Sequence, residues 1–288
     1  MTTNATWTGT RAVVTGGASG IGLGLTTALL EGGAAGVAVA DIEQAALDEA
    51  VSSLQESFGH ATVIGVRTDV ADAASVEALA VEAWERLGGV DVLCANAGVF
   101  TGGYSWEMTD DDWDWVLGVN VRGIANGIRS FVPRMIEAGT PSRVIATASI
   151  AGLVAAPVSA VYCTSKFAAV GLCESLHHDL GLAGVSTIDV SIICPGMVST
   201  RIGEGERNRP AHLAGATATE SAAFAGDAVR SGMVGGLDPI VGARHALGQV
   251  LDGRFYATTH EGDLWYRLVG NENEARIQGN APPFQMYE

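Results

Sequence analysis

Six short runs of Val, Ile and Ala recur along the first two-thirds of the chain, separated by longer amphipathic stretches. The runs cover 11–15, 36–41, 62–66, 90–94, 143–148 and 187–193, and the stretches cover 20–31, 43–58, 73–87, 111–137 and 159–182. Apolar runs without polar alternation suit strands buried on both faces, as inside a parallel sheet. A repeated strand–helix–strand rhythm then predicts an α/β fold: a doubly wound parallel sheet with helices on both faces. The 288 residues show no internal repeat or low-complexity linker, so 1–288 reads as a single domain. The rhythm weakens after Pro195. Residues 196–238 are expected to be irregular, with a short helix or two, and to serve as a substrate-binding loop or lid. Pro239 opens a helix to about Leu251, 255–259 reads as a last strand, and 260–288 forms a helical C-terminal tail.

Charge narrows the partners. With 16 basic and 32 acidic residues the net charge is -16. Such a surface repels phosphate backbones and anionic lipid, so neither nucleic acid nor a membrane surface is expected as a partner. The stretch 1–10 lacks the basic and apolar regions of a signal peptide, and no apolar run reaches the length of a membrane span. Cys94, Cys163, Cys173 and Cys194 form no C-x-x-C pair and stand in apolar surroundings, as buried thiols of a reducing compartment do. A cytoplasmic protein is expected.

Thr15-Gly-Gly-Ala-Ser-Gly-Ile-Gly22 joins the first predicted strand to the first helix. Glycines at Gly16, Gly20 and Gly22 let a backbone pass close to a pyrophosphate. The N–H groups of Ser19, Gly20, Ile21 and Gly22 lie at the positive end of a helix. Asp41 ends the second strand 19 positions after Gly22, near the spacing of an acid that binds the adenosine ribose. A carboxylate there accepts from ribose hydroxyls and repels a 2′-phosphate, which points to NAD. Asp41 also suits a helix N-cap. No Arg or Lys stands near the turn in sequence, and Gly17 occupies a place where one could have sat.

Tyr162 and Lys166 lie four apart on a predicted helix, sharing one face. An ammonium beside a phenol favours phenolate and makes the tyrosine a usable acid/base. Lys166 is the only lysine among 16 basic residues. Ser149 ends the fifth strand 13 positions before Tyr162, where an open α/β sheet places its ligands.

With Asp69-Val70, Asn96-Ala97-Gly98, Asn120 and Pro195-Gly196, these motifs stand in the order and spacing of a known family. The chain resembles the short-chain dehydrogenase/reductase superfamily, in its shorter single-domain subclass, from about Arg11 to Thr200. The resemblance implies a Rossmann-type fold and a catalytic set of Asn120, Ser149, Tyr162 and Lys166. Tyr162 would be the general acid/base and Ser149 would polarise the substrate oxygen. Asn120 would position a water that relays protons through Lys166, which would also bind the nicotinamide ribose. The glycine turn, Asp41 and Ile42 would hold the pyrophosphate and adenosine ribose, and Asp69 and Val70 the adenine. Asn96, Ala97 and Gly98 would floor the cleft. Pro195, Gly196, Val198 and Thr200 would hold the carboxamide.

The resulting expectation is an NAD-dependent oxidoreductase interconverting a secondary alcohol and a ketone. An NADP-using ketoreductase and an NAD(H)-binding regulator without turnover are the alternatives. The pocket walls, Val99, Phe100, Ile150 to Val154, Val158 and Met197, are apolar and favour a bulky or aromatic substrate; Arg201 is the nearest cation. Apolar positions such as Val119, Ile124, Ile128 and Phe131 exceed one buried face, and the resemblance implies pairing of their helix across a two-fold axis. A homotetramer is expected, with a dimer second. No metal site is expected. His177 and His178 are adjacent and diverge on a helix, and Asp110 to Asp112 reads as a helix start.

Overall fold

The computed structural model describes residues 6–213, 219–262 and 264–283. Residues 1–5 of the amino-terminal stretch, 214–218 of the expected lid, and 263 and 284–288 of the tail lie outside the described residues.

Seven parallel strands form the sheet in the order β3-β2-β1-β4-β5-β6-β7. They are β1 (Arg11–Thr15), β2 (Gly36–Asp41), β3 (Thr62–Arg67), β4 (Val92–Ala95), β5 (Ser142–Thr147), β6 (Ile188–Cys194) and β7 (Tyr256–Thr258). The order reverses between β1 and β4, so a crevice opens there at the strands' C-terminal ends, where such sheets bind ligands. The helices are α1 (Gly20–Glu31), α2 (Gln44–Ser57), α3 (Ala73–Leu87), α4 (Asp110–Leu117), α5 (Gly123–Ala138), α6 (Ala160–Leu182), α7 (Glu220–Val234), α8 (Pro239–Leu251) and α9 (Leu264–Gln278).

Alternation along each strand feeds two cores. Val13 and Leu93 join residues of α3, α5 and α6 on one face, whereas Ala12, Val14 and Val92 join those of α1, α2 and α8 on the other. Both faces are thus covered, the arrangement expected from the strand composition.

Three expectations are refined. The fourth strand begins at Val92, not at residue 90; just ahead of it the Asp91 carboxylate pairs with the Arg11 guanidinium at 2.8 Å. The stretch 111–137 runs as helix throughout, but a π turn, Gly118–Arg122, lies between α4 and α5 around Asn120. Within 196–238, α7 is a full 15-residue helix, capped where the Thr219 side chain accepts from the Ala222 N–H. Ahead of it the chain forms two 3-10 segments, Ile202–Asn208 and Ala211–Leu213.

The apolar positions offered as surplus are used within the chain. Ile124 and Phe131 are buried, and Val119 and Ile128 are half-buried against the same core. Those four side chains therefore carry no argument for a partner copy. All four cysteines are buried and unpaired with one another. Among the described residues no helix is long and apolar enough to cross a membrane, and no group of three His, Cys, Asp or Glu is arranged to hold a metal ion.

Candidate active site

The glycine turn is dictated by contact as well as by torsion. Gly16 and Gly20 have φ of +61° and +51°, a region that residues with a Cβ disfavour. A Cβ on Gly22 would stand 1.9 Å from the Gly16 carbonyl oxygen. Ser19, at the N-cap of α1, makes no side-chain cap, so the first-turn N–H groups of Gly20, Ile21 and Gly22 keep no intrahelical partner. Such a turn fits an anionic pyrophosphate. Thr15 ties the turn to the end of β4: its Oγ1 accepts the N–H groups of Asn96 (2.9 Å) and Ala97 (3.1 Å). Asn96 returns a bond from Nδ2 to the Thr15 carbonyl at 3.0 Å.

Asp41 is buried beside this turn. One carboxylate oxygen accepts from the Ala18 N–H and the other from the Glu43 N–H, both at 3.1 Å. The N-cap of α2 is Glu43, so Asp41 is not the cap itself; it pins the turn to the β2–α2 corner that includes Ile42. The expectation that Gly17 could have been basic is corrected. A Cβ there would meet the Val14 carbonyl oxygen at 2.7 Å and Val39 at 3.0 Å. The fold also brings up bases that sequence distance hides. Arg67, whose Cα pairs with Asp41 in the ladder, donates to the Ile42 carbonyl at 3.3 Å, and Arg207 and Arg201 reach Glu43.

Asp69 accepts from the Ala71 N–H at 2.9 Å, which folds the β3–α3 loop tightly. Val70 is buried, and its carbonyl accepts from Asn126 Nδ2 at 2.9 Å. Asn126 carried no sequence motif and is visible only once α5 packs against this loop.

Ser149, Tyr162 and Lys166 meet at the C-terminal ends of β4 and β5. Ser149 stands beside the Tyr162 phenol and acts to lower it, and its Oγ accepts from the Ala151 N–H at 3.1 Å. Lys166 Nζ lies 5.6 Å from the Tyr162 ring centroid and donates to the Thr147 carbonyl at 3.1 Å. Phe100 packs edge-on to the Tyr162 ring at 5.1 Å. The expected lowering of the phenol by Lys166 is absent in this state. Burial pushes Tyr162 up to about 12 against the opposing effect of Ser149, and burial draws Lys166 down to about 8. Desolvation disfavours both charged forms.

The π turn aims Asn120 inward. Its Oδ1 accepts from the Val99 N–H at 2.8 Å, and its Nδ2 donates to the Val99 carbonyl at 3.0 Å and to Ser165 Oγ at 2.9 Å. The bend and the site thus share one residue. The place a Gly98 Cβ would take lies 3.3 Å from both Asn120 Oδ1 and Lys166 Nζ, so the missing side chain leaves a cradle between them. That cradle and the uncapped turn fit a dinucleotide laid along the crevice.

Beyond β6, the Pro195 carbonyl accepts from the Ile150 N–H at 3.0 Å, tying the Ser149 turn to Gly196. Val198 is buried and bridges to Leu237. Thr200 rests on the glycine turn, its Cγ2 lying 3.0 Å from where a Gly20 Cβ would be. His260, which carried no motif, joins this loop: Nε2 lies 3.1 Å from the Met197 carbonyl oxygen and Nδ1 2.8 Å from Thr259 Oγ1.

Val99, Phe100, Ala151 and Val154 are buried, and Met197 is partly exposed. Val158 has φ of +50°, a strained setting for a β-branched residue. The cations of 201–209 turn to acids. Arg201 and Arg207 pair with Glu43 at 4.0 and 2.9 Å, and Arg209 pairs with Asp112 at 2.7 Å while its guanidinium lies 4.3 Å from the Trp115 ring centroid. Asp112 also completes a capping box with Thr109, in line with the helix-start reading of 110–112.

A family model described as short chain dehydrogenase matches residues 10–211. A short-chain dehydrogenase/reductase from Burkholderia phymatum, solved in complex with NAD, superposes with a TM-score of 0.93 at 36% identity, covering 98% of this chain and 99% of that one. The 1-deoxy-11-beta-hydroxypentalenate dehydrogenase of Streptomyces arenae is 41% identical over 197 residues, 67% of this chain and 69% of the relative. The 3beta-hydroxysteroid dehydrogenase 2 of Eggerthella lenta is 36% identical over 230 residues, 80% and 85% of the two chains.

Proposed function

The chain belongs to the short-chain dehydrogenase/reductase family of nicotinamide-dependent oxidoreductases, and from that premise we propose that it interconverts a secondary alcohol and a ketone with NAD. The observation that carries the proposal is the meeting of Tyr162 and Lys166 beside Ser149: Lys166 Nζ lies 5.6 Å from the Tyr162 ring centroid and 3.3 Å from the place a Gly98 Cβ would take. NAD bound there supplies the hydride acceptor, or as NADH the donor. In oxidation Tyr162 Oη takes the hydroxyl proton of the substrate, and Ser149 Oγ holds the same oxygen. In reduction Tyr162 returns that proton.

Tyr162 is almost wholly protonated at neutral pH while its phenol stands at about 12, so little phenolate is present to act as a base. It becomes useful once a positive charge enters the cleft beside it, because opposite charge favours the phenolate. The Lys166 ammonium, poised at about 8, passes protons toward Asn120 and binds the nicotinamide ribose. Asp41 selects NAD by repelling a 2′-phosphate. Asp69 and Val70 hold the adenine, and Pro195, Gly196, Val198 and Thr200 the carboxamide.

The substrate is bulky and apolar. Phe100 packs on the Tyr162 ring, Met197 beyond β6 is an exposed apolar side chain, and Arg201, Arg207 and Arg209 pair with acids, which leaves none of these three to clamp a carboxylate or phosphate. The hydroxypentalenate and hydroxysteroid dehydrogenases it resembles carry names of polycyclic alcohols, which supports the same class. Residues 196–238 act as the lid and 260–288 as the tail of one domain. The active form is a cytoplasmic homotetramer.

A screen of NAD and NADP reduction over aliphatic, alicyclic, benzylic, steroid and sugar alcohols tests the proposal. NADH should form with an alicyclic or aryl alcohol. Binding of NADH with no turnover of any alcohol would favour the regulator, and preference for a sugar or phosphorylated alcohol would overturn the substrate class.

A further inference from the structure

The C-terminal end of β2 carries an ion cluster that the proposed chemistry does not use. Glu43, two residues past Asp41 and half-buried, accepts on Oε1 from Arg207 Nε (3.1 Å), Arg207 Nη2 (2.9 Å) and Asn208 Nδ2 (3.0 Å). Its other oxygen lies 4.0 Å from Arg201 Nη2. Arg207 Nη1 donates to the carbonyls of Arg201 (3.1 Å) and Glu204 (2.9 Å), so every nitrogen of that guanidinium has a partner. Burial pushes the Glu43 carboxyl up, but the bonds from Asn208 and Arg207 prevail and hold it below the ordinary carboxylate range. The partners are 164 and 165 positions apart in sequence, so the cluster is made by the fold alone.

The cluster closes a strap. The strap starts at Thr200 on Gly20 of the glycine turn, and Arg207 and Asn208 end it on Glu43, at the corner next to Asp41. The segment between therefore spans the sheet's C-terminal edge from the pyrophosphate turn to the adenosine end. A dinucleotide bearing a 2′-phosphate needs a basic side chain at that end. Gly17 has no room to supply one, whereas Arg207 and Arg201 arrive there and are neutralised.

We propose that Glu43 is a cofactor-specificity residue: it ties Arg207 and Arg201 into ion pairs and so withholds from the adenosine end the cations a 2′-phosphate would recruit. Asp41 repels that phosphate directly, and Glu43 removes its counter-charge. The inference rests on the dinucleotide reading of the crevice.

The test measures NADH and NADPH dissociation constants by fluorescence for the unmutated protein, Glu43→Gln, Arg207→Gln and the double variant. In Glu43→Gln the NADPH-to-NADH ratio of constants should fall roughly tenfold, the scale of one charge-assisted hydrogen bond. Adding Arg207→Gln should cancel the gain, and Arg207→Gln alone should give none. Trypsin, which reads the strap without cofactor, should cut after Arg207 severalfold faster in Glu43→Gln. An unchanged ratio with NADH still bound overturns the inference alone. A gain that survives Arg207→Gln also overturns it, because Arg67 or simple loss of negative charge would then be responsible. Equal trypsin rates would mean that Glu43 does not hold the strap. If the unmutated protein binds neither dinucleotide, the cofactor reading itself falls.

Discussion

Lys166 should cost the protein stability, and replacing it with Met should reveal how much. The ammonium is 3% exposed, with one hydrogen bond in view, to the Thr147 carbonyl at 3.1 Å. Burial draws it from 10.5 down to about 8. Each tenfold loss of proton affinity corresponds to about 1.4 kcal/mol, so at pH 7 the buried charge costs about 3 kcal/mol. Lys166→Met removes that cost, keeps most of the volume and forfeits one hydrogen bond worth about 1 kcal/mol. The variant should be more stable by about 2 kcal/mol at pH 7. The pH dependence has a definite sign. Between pH 8 and 10.5 the unfolded lysine holds its proton and the folded one releases it, so the unmutated protein gains stability as pH rises. The advantage of Lys166→Met is therefore full below pH 8 and disappears by about pH 10.5. Urea unfolding of both proteins at pH 7, 9 and 10 measures this difference. A variant less stable at pH 7, or an advantage that ignores pH, would refute the reasoning.

The inner anchor of the strap and the glycine turn give two further expectations. Asp112→Asn removes one of the two acids on Arg209, whose side chain is 7% exposed, and leaves Glu206 at 2.7 Å to neutralise it, so the cost in urea unfolding should be about 1 kcal/mol. Burial pushes the Asp112 carboxyl up, but bonds from Thr109 and Arg209 prevail and hold it below its ordinary 3.8. Its contribution is therefore present above pH 3.8 and is lost as pH falls through the lower folded value, so the two proteins should converge in acid. Gly17→Arg, the obvious route to NADP use, should fail: the 2.7 Å approach to the Val14 carbonyl displaces the turn, and NADH binding should weaken without any gain for NADPH. Improved NADPH affinity in that variant would contradict the steric argument.

The sheet and the Tyr162–Lys166 pairing were legible because local pattern carries them. Buried runs such as 36–41 and 143–148 announce strands, and the only lysine sits one turn after Tyr162. The π turn at Asn120 was not legible, because Val119 to Gly123 reads as ordinary helix. α7 was read only as a short helix, for a different reason. Its Ala and Gly content hides amphipathicity, although Thr219 followed by Glu220 is an N-terminal signal that was available. The partnerships of Glu43 with Arg207, Asp112 with Arg209, and His260 with Met197 join residues 63 or more positions apart, and only packing brings them together. The protonation of Tyr162 misled for the same reason: spacing placed a cation beside the phenol, but the depth of burial, which raises the phenol instead of lowering it, belongs to the folded chain.

The acid/base role of Tyr162 is tested most directly by Tyr162→Phe, assayed for turnover and NADH affinity in the same preparation. The ring that packs on Phe100 is kept, and the phenol oxygen beside Ser149 is removed. Turnover should fall by about 10²–10⁴-fold, the usual worth of general acid/base catalysis, while NADH binds with nearly unchanged affinity. Near-normal turnover in that variant would mean that the proton travels through another group, and would contradict the account.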